Sequence, residues 1–246
     1  MNTNKNSYTL IYAAVLVIIV AFLLAAVSSA LKPTQEQNVA LDKKKQILAS
    51  LNIRDLDKSE IEAKYAEVVV SDAVVKSDGT VILAGSEKDR DGFLLSSKDI
   101  TSESLPLYTC TIDGQTKYVV PMTGRGLWGG LWGYMAVNSD LETIYGAYFS
   151  HESETAGLGA LIAEKAFQEQ FNGMSIFEDS TCSQVALTVV KHGKVNPARK
   201  NLEVDGITGS TLTSNGVANM VQAGLQLYVD YFQTLKQGAA SNEIKE

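Results

Sequence analysis

The sequence predicts an α+β protein in which a single N-terminal transmembrane helix precedes a soluble body with an antiparallel sheet and flanking helices. Three observations carry this prediction. The run from Leu10 to Leu31 is uncharged and apolar over 22 residues, slightly more than the roughly 20 that cross a bilayer core as a helix. Beyond it, short apolar segments are joined by turn sequences such as Asp113–Gly114, which is typical of β-hairpins. Near the C-terminus, apolar residues recur at spacings of three and four, which indicates a helix.

Composition and charge restrict the class of protein. The chain has 246 residues, of which 45% are hydrophobic and 20% charged, so its composition is that of a globular protein and not of a disordered one. Its formal net charge is −7, and Lys5 is the only charged residue among the first 31, so the body is acidic. Because nucleic acids are bound by neutralising phosphates, we expect no nucleic-acid partner. Cys110 and Cys182 match no metal-binding spacing and leave open one disulfide or two free thiols.

The N-terminal apolar run has two interpretations. Small residues at Ser28–Ala30 would suit the cleavage site of a signal peptide, but the apolar stretch exceeds the 7–15 residues usual for such a peptide. A retained membrane anchor is therefore favoured. Its orientation is open, because Lys5 precedes the span while Lys32 and Lys43–Lys45 follow it.

The body is predicted to alternate hairpins and helices. The predicted hairpins are Val68–Val75 with Val81–Leu83, Leu107–Ile112 with Lys117–Pro121, and Trp132–Val137 with Thr143–Ser150. The predicted helices are Gln35–Leu51, Ser59–Ala66, Leu158–Phe171 and Ser214–Gln237, with one further strand at Val185–Val190. These elements divide the chain into a short arm (1–9), a transmembrane helix (10–31), a helical connector (32–66), the main domain (67–237) and a polar tail (238–246).

A glycine run contains a formal G-x-G-x-x-G at Gly124, Gly126 and Gly129. A dinucleotide-binding fingerprint requires such a turn to open a helix, whereas this one leads into the strand-like Y-M-A-V segment. One interpretation is a tight loop in which Trp128 or Trp132 packs into the core. The other is that Trp128 presents its aromatic face to a planar ligand.

The segment H-E-S-E-T-A-G-L-G-A, which starts at His151, also has two interpretations. Metal binding is disfavoured, because alternate residues of a strand point to opposite faces and His192 is the only other histidine. We therefore predict no metal site. Instead, Glu154 and Thr155 are predicted to cap a helix that starts near Gly157, and such a helix start could also receive a phosphate or a polar ring edge.

Four hydroxyl residues lie in V-D-G-I-T-G-S-T-L-T-S-N-G-V, just before the predicted C-terminal helix. They are Thr208, Ser210, Thr211 and Thr213. One interpretation is that they provide an N-cap for this helix. The alternative is that one hydroxyl is the attachment point of a phosphate-bearing group, whose negative charge the free N–H groups of the helix start would stabilise.

The T-G-S-T-L-T sequence within this segment resembles the S-G-A-T-x-T flavinylation motif of FMN-binding domains in bacterial respiratory complexes. Together with the N-terminal span, G-R-G-L-W-G and H-E-S-E-T-A-G-L-G, the pattern resembles the C-subunit family of sodium-translocating NADH:quinone oxidoreductases over essentially the whole chain. The chain departs from the family pattern in having Thr208 for serine, Ser210 for alanine and Ala156 for proline. None of these changes removes the acceptor threonine.

The resemblance implies that Thr211 carries FMN through a phosphoester bond, made from FAD by a separate flavin transferase. It implies no catalytic residue beyond the flavin and no metal. The residues that it places at the FMN are Glu154, Thr155, Leu158, Lys191, Gly209, Ser210, Leu212 and Thr213, with Trp128 as a further candidate.

The resemblance also implies a function. FMN would relay single electrons between redox centres of partner membrane subunits, on the way from NADH to quinone, while the complex moves sodium outward. The body would lie on the periplasmic side of a bacterial inner membrane, and the chain alone would not be an NADH dehydrogenase. The alternatives are the G subunit of the homologous ferredoxin-linked electron transport complex, and an anchored binding protein without a cofactor.

Overall fold

The computed structural model describes residues 6–243, so residues 1–5 of the predicted arm and 244–246 of the predicted tail lie outside the described residues. The first element is a helix, α1 (Asn6–Ser50), which is continuous through Pro33. The sequence indicates two helices around this proline, because proline lacks a backbone N–H and removes one helical hydrogen bond. That separation is wrong, since the many helical bonds on either side of Pro33 maintain the helix.

The N-terminal part of the chain, up to Lys43, forms a unit separate from the body. Within α1, an 18-residue window has a mean hydropathy of 3.1, and none of that window is buried. Large apolar side chains such as Phe22, which is 72% exposed, cover its surface. By length and composition this helix can cross a membrane.

The body, from Lys44 onward, is built on a six-stranded antiparallel sheet with the order β2-β1-β3-β4-β5-β6. The strands are β1 (Val69–Val75), β2 (Val81–Leu83), β3 (Leu105–Ile112), β4 (Gln115–Arg125), β5 (Gly130–Asn138) and β6 (Ile144–His151). Each predicted hairpin is confirmed, and the pairing of β1 with β3 and of β4 with β5 joins the three hairpins into one sheet. The predicted α+β class with an antiparallel sheet is therefore confirmed.

The remaining elements pack around this sheet or follow it. They are α2 (Lys58–Val68), α3 (Lys165–Gln168), the parallel strand pair β7 (Thr188–Val190) and β8 (Glu203–Asp205), α4 (Thr211–Gln226) and α5 (Val229–Glu243). The predicted strand Val185–Val190 is thus shorter than expected. Part of the predicted polar tail, from Gly238 to Glu243, is helical.

The C-terminal helix is the first of two larger corrections. Instead of one helix over Ser214–Gln237, α4 starts three residues earlier and ends at Gln226, and α5 follows after a two-residue turn. The turn contains the fully buried Tyr228, whose hydroxyl donates to the carbonyl oxygen of Pro106 at 2.8 Å. The apolar stripe predicted from spacing continues through both helices, because both pack on the same core.

The predicted helix Leu158–Phe171 is also wrong. This stretch forms a 3₁₀ turn at Gly159–Ala163, the four-residue α3 and a second 3₁₀ turn at Glu169–Phe171. The fully buried Gln168 donates through its side-chain amide to carbonyl oxygens of Phe149 and Ile162, at 2.9 and 3.2 Å. These bonds hold the segment in short turns that fit under β6.

Both faces of the sheet are buried along the middle of β3, β4 and β5, whereas the edge strand β2 is exposed. On β3, Leu105 and Leu107 join the large core beneath α4 and α5, whereas Tyr108 lies on the other face and its ring contacts Tyr134. That second face is covered by the end of α1 and by α2, where Trp132 donates from Nε1 to Oε1 of Gln46 at 3.1 Å. Burial on both faces explains why the central parts of these strands, such as Val119–Met122, are apolar without alternation.

The two cysteines are free thiols, and both are buried. This resolves the alternatives left open by the sequence. Cys110 lies within β3, and burial raises the pKa of its thiol to about 12, so it is an inert core residue at neutral pH. Cys182 lies before β7.

A buried carboxyl, Asp72, fastens a loop to β1. Its Oδ2 atom accepts hydrogen bonds from the backbone N–H groups of Asp91 and Phe93 at 3.1 and 2.9 Å. Burial raises the pKa of Asp72, and its two N–H partners only partly offset this effect, while the carboxylates of Asp91 and Asp89 add to it. Asp72 therefore stabilises the loop through hydrogen bonds and opposes folding through its charge.

Two substitutions of Asp72 separate these effects. Asp72→Ala leaves the buried N–H of Phe93 and the half-buried N–H of Asp91 without an acceptor, and we expect a loss of about 1–3 kcal/mol in the free energy of unfolding. Asp72→Asn keeps an acceptor oxygen and removes the charge. A carboxyl whose pKa is raised on folding makes the free energy of unfolding fall as the pH rises above the ordinary pKa of Asp. Asp72→Asn lacks this effect, so its free energy of unfolding relative to the wild type should be higher at about pH 7 than at about pH 4. Denaturant unfolding in detergent at both pH values measures this, and an identical pH dependence in the two chains would contradict it.

Candidate functional site

A cavity of about 380 Å³ opens at the N-terminal end of α4. This volume lies within the range of about 300–1,000 Å³ that is usual for small-molecule sites. Every residue that the sequence placed at the flavin lines this cavity except Trp128. The lining residues are Leu127, Glu154, Thr155, Leu158, Gly159, Lys191, Gly209, Ser210, Thr211, Leu212 and Thr213.

Two lining residues, Leu127 and Gly159, were not predicted from the sequence. Both belong to glycine-rich stretches, G-R-G-L and G-L-G. Such stretches indicate close approach of the backbone to another group, but only the fold shows which group is approached.

The start of α4 offers free backbone donors to this cavity. Ser210 is the N-cap residue, and the N–H of Ser214 donates to its carbonyl oxygen at 3.0 Å as a first turn of helix requires. The N–H groups of the three residues between them, Thr211–Thr213, precede the helical hydrogen-bond ladder. Together with the helix dipole, such groups favour an anionic ligand.

The hydroxyl groups of this segment differ in burial and in their hydrogen bonds. Ser210 and Thr213 are 8% and 1% exposed, and Ser210 Oγ donates to Thr213 Oγ1 at 3.1 Å. Ser214 Oγ accepts from the N–H of Ile207 at 3.0 Å. Thr211 is only half-buried and lines the cavity. Among the hydroxyl residues of this segment that line the cavity, Thr211 is therefore the one that lies outside the buried hydrogen-bond network.

The hydrogen-bond network of Ser210 and Thr213 ends on the carboxylate of Glu154. The position of this side chain differs from the one that the sequence predicts. The predicted cap at Gly157 is wrong, because no α-helix starts there and the carboxylate instead points to the start of α4. Glu154 is 6% exposed. Its Oε1 atom accepts from the N–H of Trp128 at 2.9 Å, and its Oε2 atom accepts from the hydroxyl of Thr213 at 2.5 Å.

The hydrogen bonds keep Glu154 ionised. Burial by itself would favour the protonated form, but the Thr213 hydroxyl and the backbone N–H groups of the glycine loop together hold the pKa of Glu154 below its ordinary value. The carboxylate therefore carries a negative charge at neutral pH. It links the loop between β4 and β5 to the first turn of α4.

Two glycines make room for this carboxylate. A Cβ atom on Gly126 would collide with Oε1 of Glu154, and one on Gly159 would lie 2.5 Å from Oε2 and 2.6 Å from Oγ1 of Thr213. The glycine run is thus a tight loop, as one interpretation held, and it closes around the side chain of Glu154. Trp128, at its tip, is 66% exposed and lies outside the cavity lining.

The histidines have structural partners. His151 Nδ1 lies 3.2 Å from the N–H of Glu154, and His192 Nδ1 lies 2.8 Å from a carboxylate oxygen of Asp205. Within residues 6–243, His, Cys, Asp and Glu side chains form no group of three that could hold a metal ion.

The chemistry of the lining fits FMN. The free N–H groups of Thr211–Thr213 and the ammonium of Lys191 suit a phosphate, and the apolar side chains of Leu127, Leu158 and Leu212 suit the faces of a planar ring. Leu158 and Leu212 are 41% and 60% exposed. A bound ring would cover apolar surface that is otherwise open to water.

Comparison with known proteins agrees with this chemistry. A family model described as the FMN-binding domain matches residues 126–226. The matched range begins in the glycine loop and ends with α4, and it contains every residue that lines the cavity. Fold and site together define a protein with an FMN-binding domain.

Full-length relatives give the particular family. The C subunit of the Na(+)-translocating NADH-quinone reductase of Haemophilus ducreyi is 31% identical and aligns with 98% of both chains. The protein of the same name from Pasteurella multocida is 30% identical, over 98% of this chain and 100% of the relative. A crystal structure of the C subunit from Parabacteroides distasonis matches 82% of this chain and 96% of that one, with 39% identity and a TM-score of 0.73. The chain belongs to the family of C subunits of the Na(+)-translocating NADH-quinone reductase.

A matched pair of glycine substitutions tests the role of Glu154 in building the site. Gly126 lies in the glycine loop and Gly130 begins β5 directly after it, but a Cβ atom on Gly130 would be 3.7 Å from its nearest neighbour. Because Gly126→Ala forces the buried carboxylate to move, we expect it to lower the free energy of unfolding by about 1–3 kcal/mol. Gly130→Ala should change it by less than about 0.5 kcal/mol. Denaturant unfolding in detergent measures both, and equal effects would contradict the packing described.

Proposed function

We propose that this chain is the electron-relaying flavoprotein subunit of a sodium-pumping NADH:quinone oxidoreductase, with FMN bound covalently to Thr211. The family membership and the FMN-binding domain support a flavoprotein in that complex. The choice of Thr211 rests on one observation. Among the hydroxyls of the T-G-S-T-L-T segment, Ser210 and Thr213 are buried and bonded to each other, and Thr208 is exposed but outside the cavity lining.

The proposed attachment links Thr211 Oγ to the phosphorus of FMN through a phosphoester bond. In the proposed step, Thr211 Oγ attacks the FMN phosphorus of FAD, the bond from this phosphorus to the AMP part breaks, and AMP leaves. The bridging oxygen leaves with AMP, and the hydroxyl proton passes to the flavin transferase or to the departing AMP, so the mass of the chain increases by that of one FMN less one water. The free N–H groups at the start of α4 would hold the product phosphate.

The bound FMN would supply one-electron redox chemistry. The residues of this chain would bind, orient and shield it. Lys191 and the start of α4 would neutralise the phosphate, while Leu158 and Leu212 would exclude water from the ring. No acid–base residue is needed for electron transfer, in keeping with the absence of NADH dehydrogenase activity that we propose for the isolated chain.

Membership of this complex implies the partners of the chain and its location in the cell. We propose that the other membrane subunits bring electron donor and acceptor to the FMN, and that the apolar part of α1 is a retained anchor in the bacterial inner membrane. An anchor raises the effective concentration of the body near partners in the same membrane. The body would lie on the periplasmic side, where the flavin transferase would modify it.

Intact mass tests the attachment site. The full chain co-expressed with a flavin transferase should gain the mass of one FMN less one water, and peptide mapping should place it on the peptide that contains Thr211. Thr211→Ala should abolish the gain completely. Thr208→Ala is the matched control, because Thr208 is an exposed hydroxyl three residues away, and it should retain full loading. Flavin that survives denaturation of the Thr211→Ala chain would refute the assignment.

A further inference from the structure

We propose that Glu154 is a positioning residue whose buried negative charge sets the reduction potential of the flavin, and that this carboxylate lowers the potential. The inference rests on the proposed function, because it requires FMN at Thr211. It goes beyond that function in assigning the electrochemical tuning of the site to one side chain. The carboxylate is bonded to Thr213, which lies two residues after Thr211 in α4.

The charge of Glu154 lies in the wall of the cavity, where water screens it little. Glu154 lines the cavity yet is 6% exposed. Lys191 is the other charged side chain of the lining, and it is exposed. Because Coulomb interactions weaken with the surrounding dielectric, the buried carboxylate acts on the cavity more strongly than the solvated ammonium. A negative charge at this wall opposes the arrival of an electron and so lowers the reduction potential.

The ionised carboxylate also fixes the direction of the hydroxyl chain. A carboxylate only accepts hydrogen bonds, so Thr213 must donate to Glu154. Thr213 then accepts from Ser210, and the proton of the Ser210 hydroxyl is used within the network. The order of donors therefore runs from Ser210 through Thr213 to Glu154, and it leaves Thr211 outside.

This order suggests a substitution that removes the charge and keeps the hydrogen bonds. In Glu154→Gln, the amide oxygen can accept from the N–H of Trp128 as Oε1 does. The amide nitrogen can donate to Thr213, whose hydroxyl can then rotate and donate to Ser210. The side chains at 154, 213 and 210 stay connected by hydrogen bonds, and the Ser210 hydroxyl proton is released toward the cavity that Ser210 lines, so the main difference from the wild type is the lost charge.

Glu152→Gln is the matched control. Glu152 is exposed and belongs to the same segment, and it accepts from the N–H of Gly130 at 3.2 Å. It also loses one negative charge, but from a side chain that water screens and that lies outside the cavity lining.

The experiment is a spectroelectrochemical titration of the flavin in the full chain, loaded by co-expression with the transferase and with electrons supplied by an electrode through mediators. Glu154→Gln should raise the midpoint potential, so that the ratio of reduced to oxidised flavin at a fixed applied potential increases about tenfold, which equals 59 mV for a one-electron couple. Glu152→Gln should leave the ratio unchanged within about twofold. Equal midpoint potentials in Glu154→Gln and the wild type would overturn the inference.

A second variant covers a failure of Glu154→Gln to fold. Thr213→Val is close in shape and removes the hydroxyl that helps to hold the pKa of Glu154 below its ordinary value, so the buried carboxyl binds a proton more readily and the midpoint potential should rise, as in Glu154→Gln. A fall or no change would overturn the inference. Intact mass is measured on every sample first: a wild-type chain without FMN overturns the proposed function together with this inference, whereas loaded chains of equal potential overturn this inference alone.

Discussion

The shape of the cavity depends on the burial of the Glu154 carboxylate. A buried charge is tolerated only when hydrogen bonds replace its hydration, and here a backbone N–H of the glycine loop and the hydroxyl of Thr213 do so. To bring these donors together, the loop after β4 and the turn after β6 must approach the first turn of α4. The glycines at 126 and 159 allow this approach because a methyl group at either position would strike the carboxylate or its partner.

The sheet provides the rigid support for this arrangement. β4 and β5 pair from Lys117 to Arg125 and from Gly130 to Asn138, so the glycine loop joins two long, fully bonded strands. α4 packs across β4 and carries the motif at its N-terminal end. Because the middle of β4 and of β5 is buried on both faces, the loop and the helix start have little freedom to move apart.

The sequence predicts the elements that depend on residues close together in the chain. The hairpins were found because turn sequences and strand composition act over a few residues. The sequence predicts a helix after Gly157, and this prediction is wrong because the short turns of the segment depend on the buried amide of Gln168, which bonds to a distant strand. The role of Glu154 could not be predicted for the same reason. Its partners, Trp128 and Thr213, are 26 and 59 residues away in sequence, and an acidic residue before a glycine is equally typical of a helix cap.

The central claim, that this chain relays electrons through a flavin on Thr211, is tested most directly by electron transfer in the assembled complex. The measurement follows NADH oxidation and quinone reduction side by side in membranes that contain the complex with Thr211→Ala in this subunit. We expect quinone reduction to stop, while NADH oxidation by artificial acceptors, which bypass this subunit, continues at close to the wild-type rate. Quinone reduction at the wild-type rate in the complex with Thr211→Ala would contradict the account.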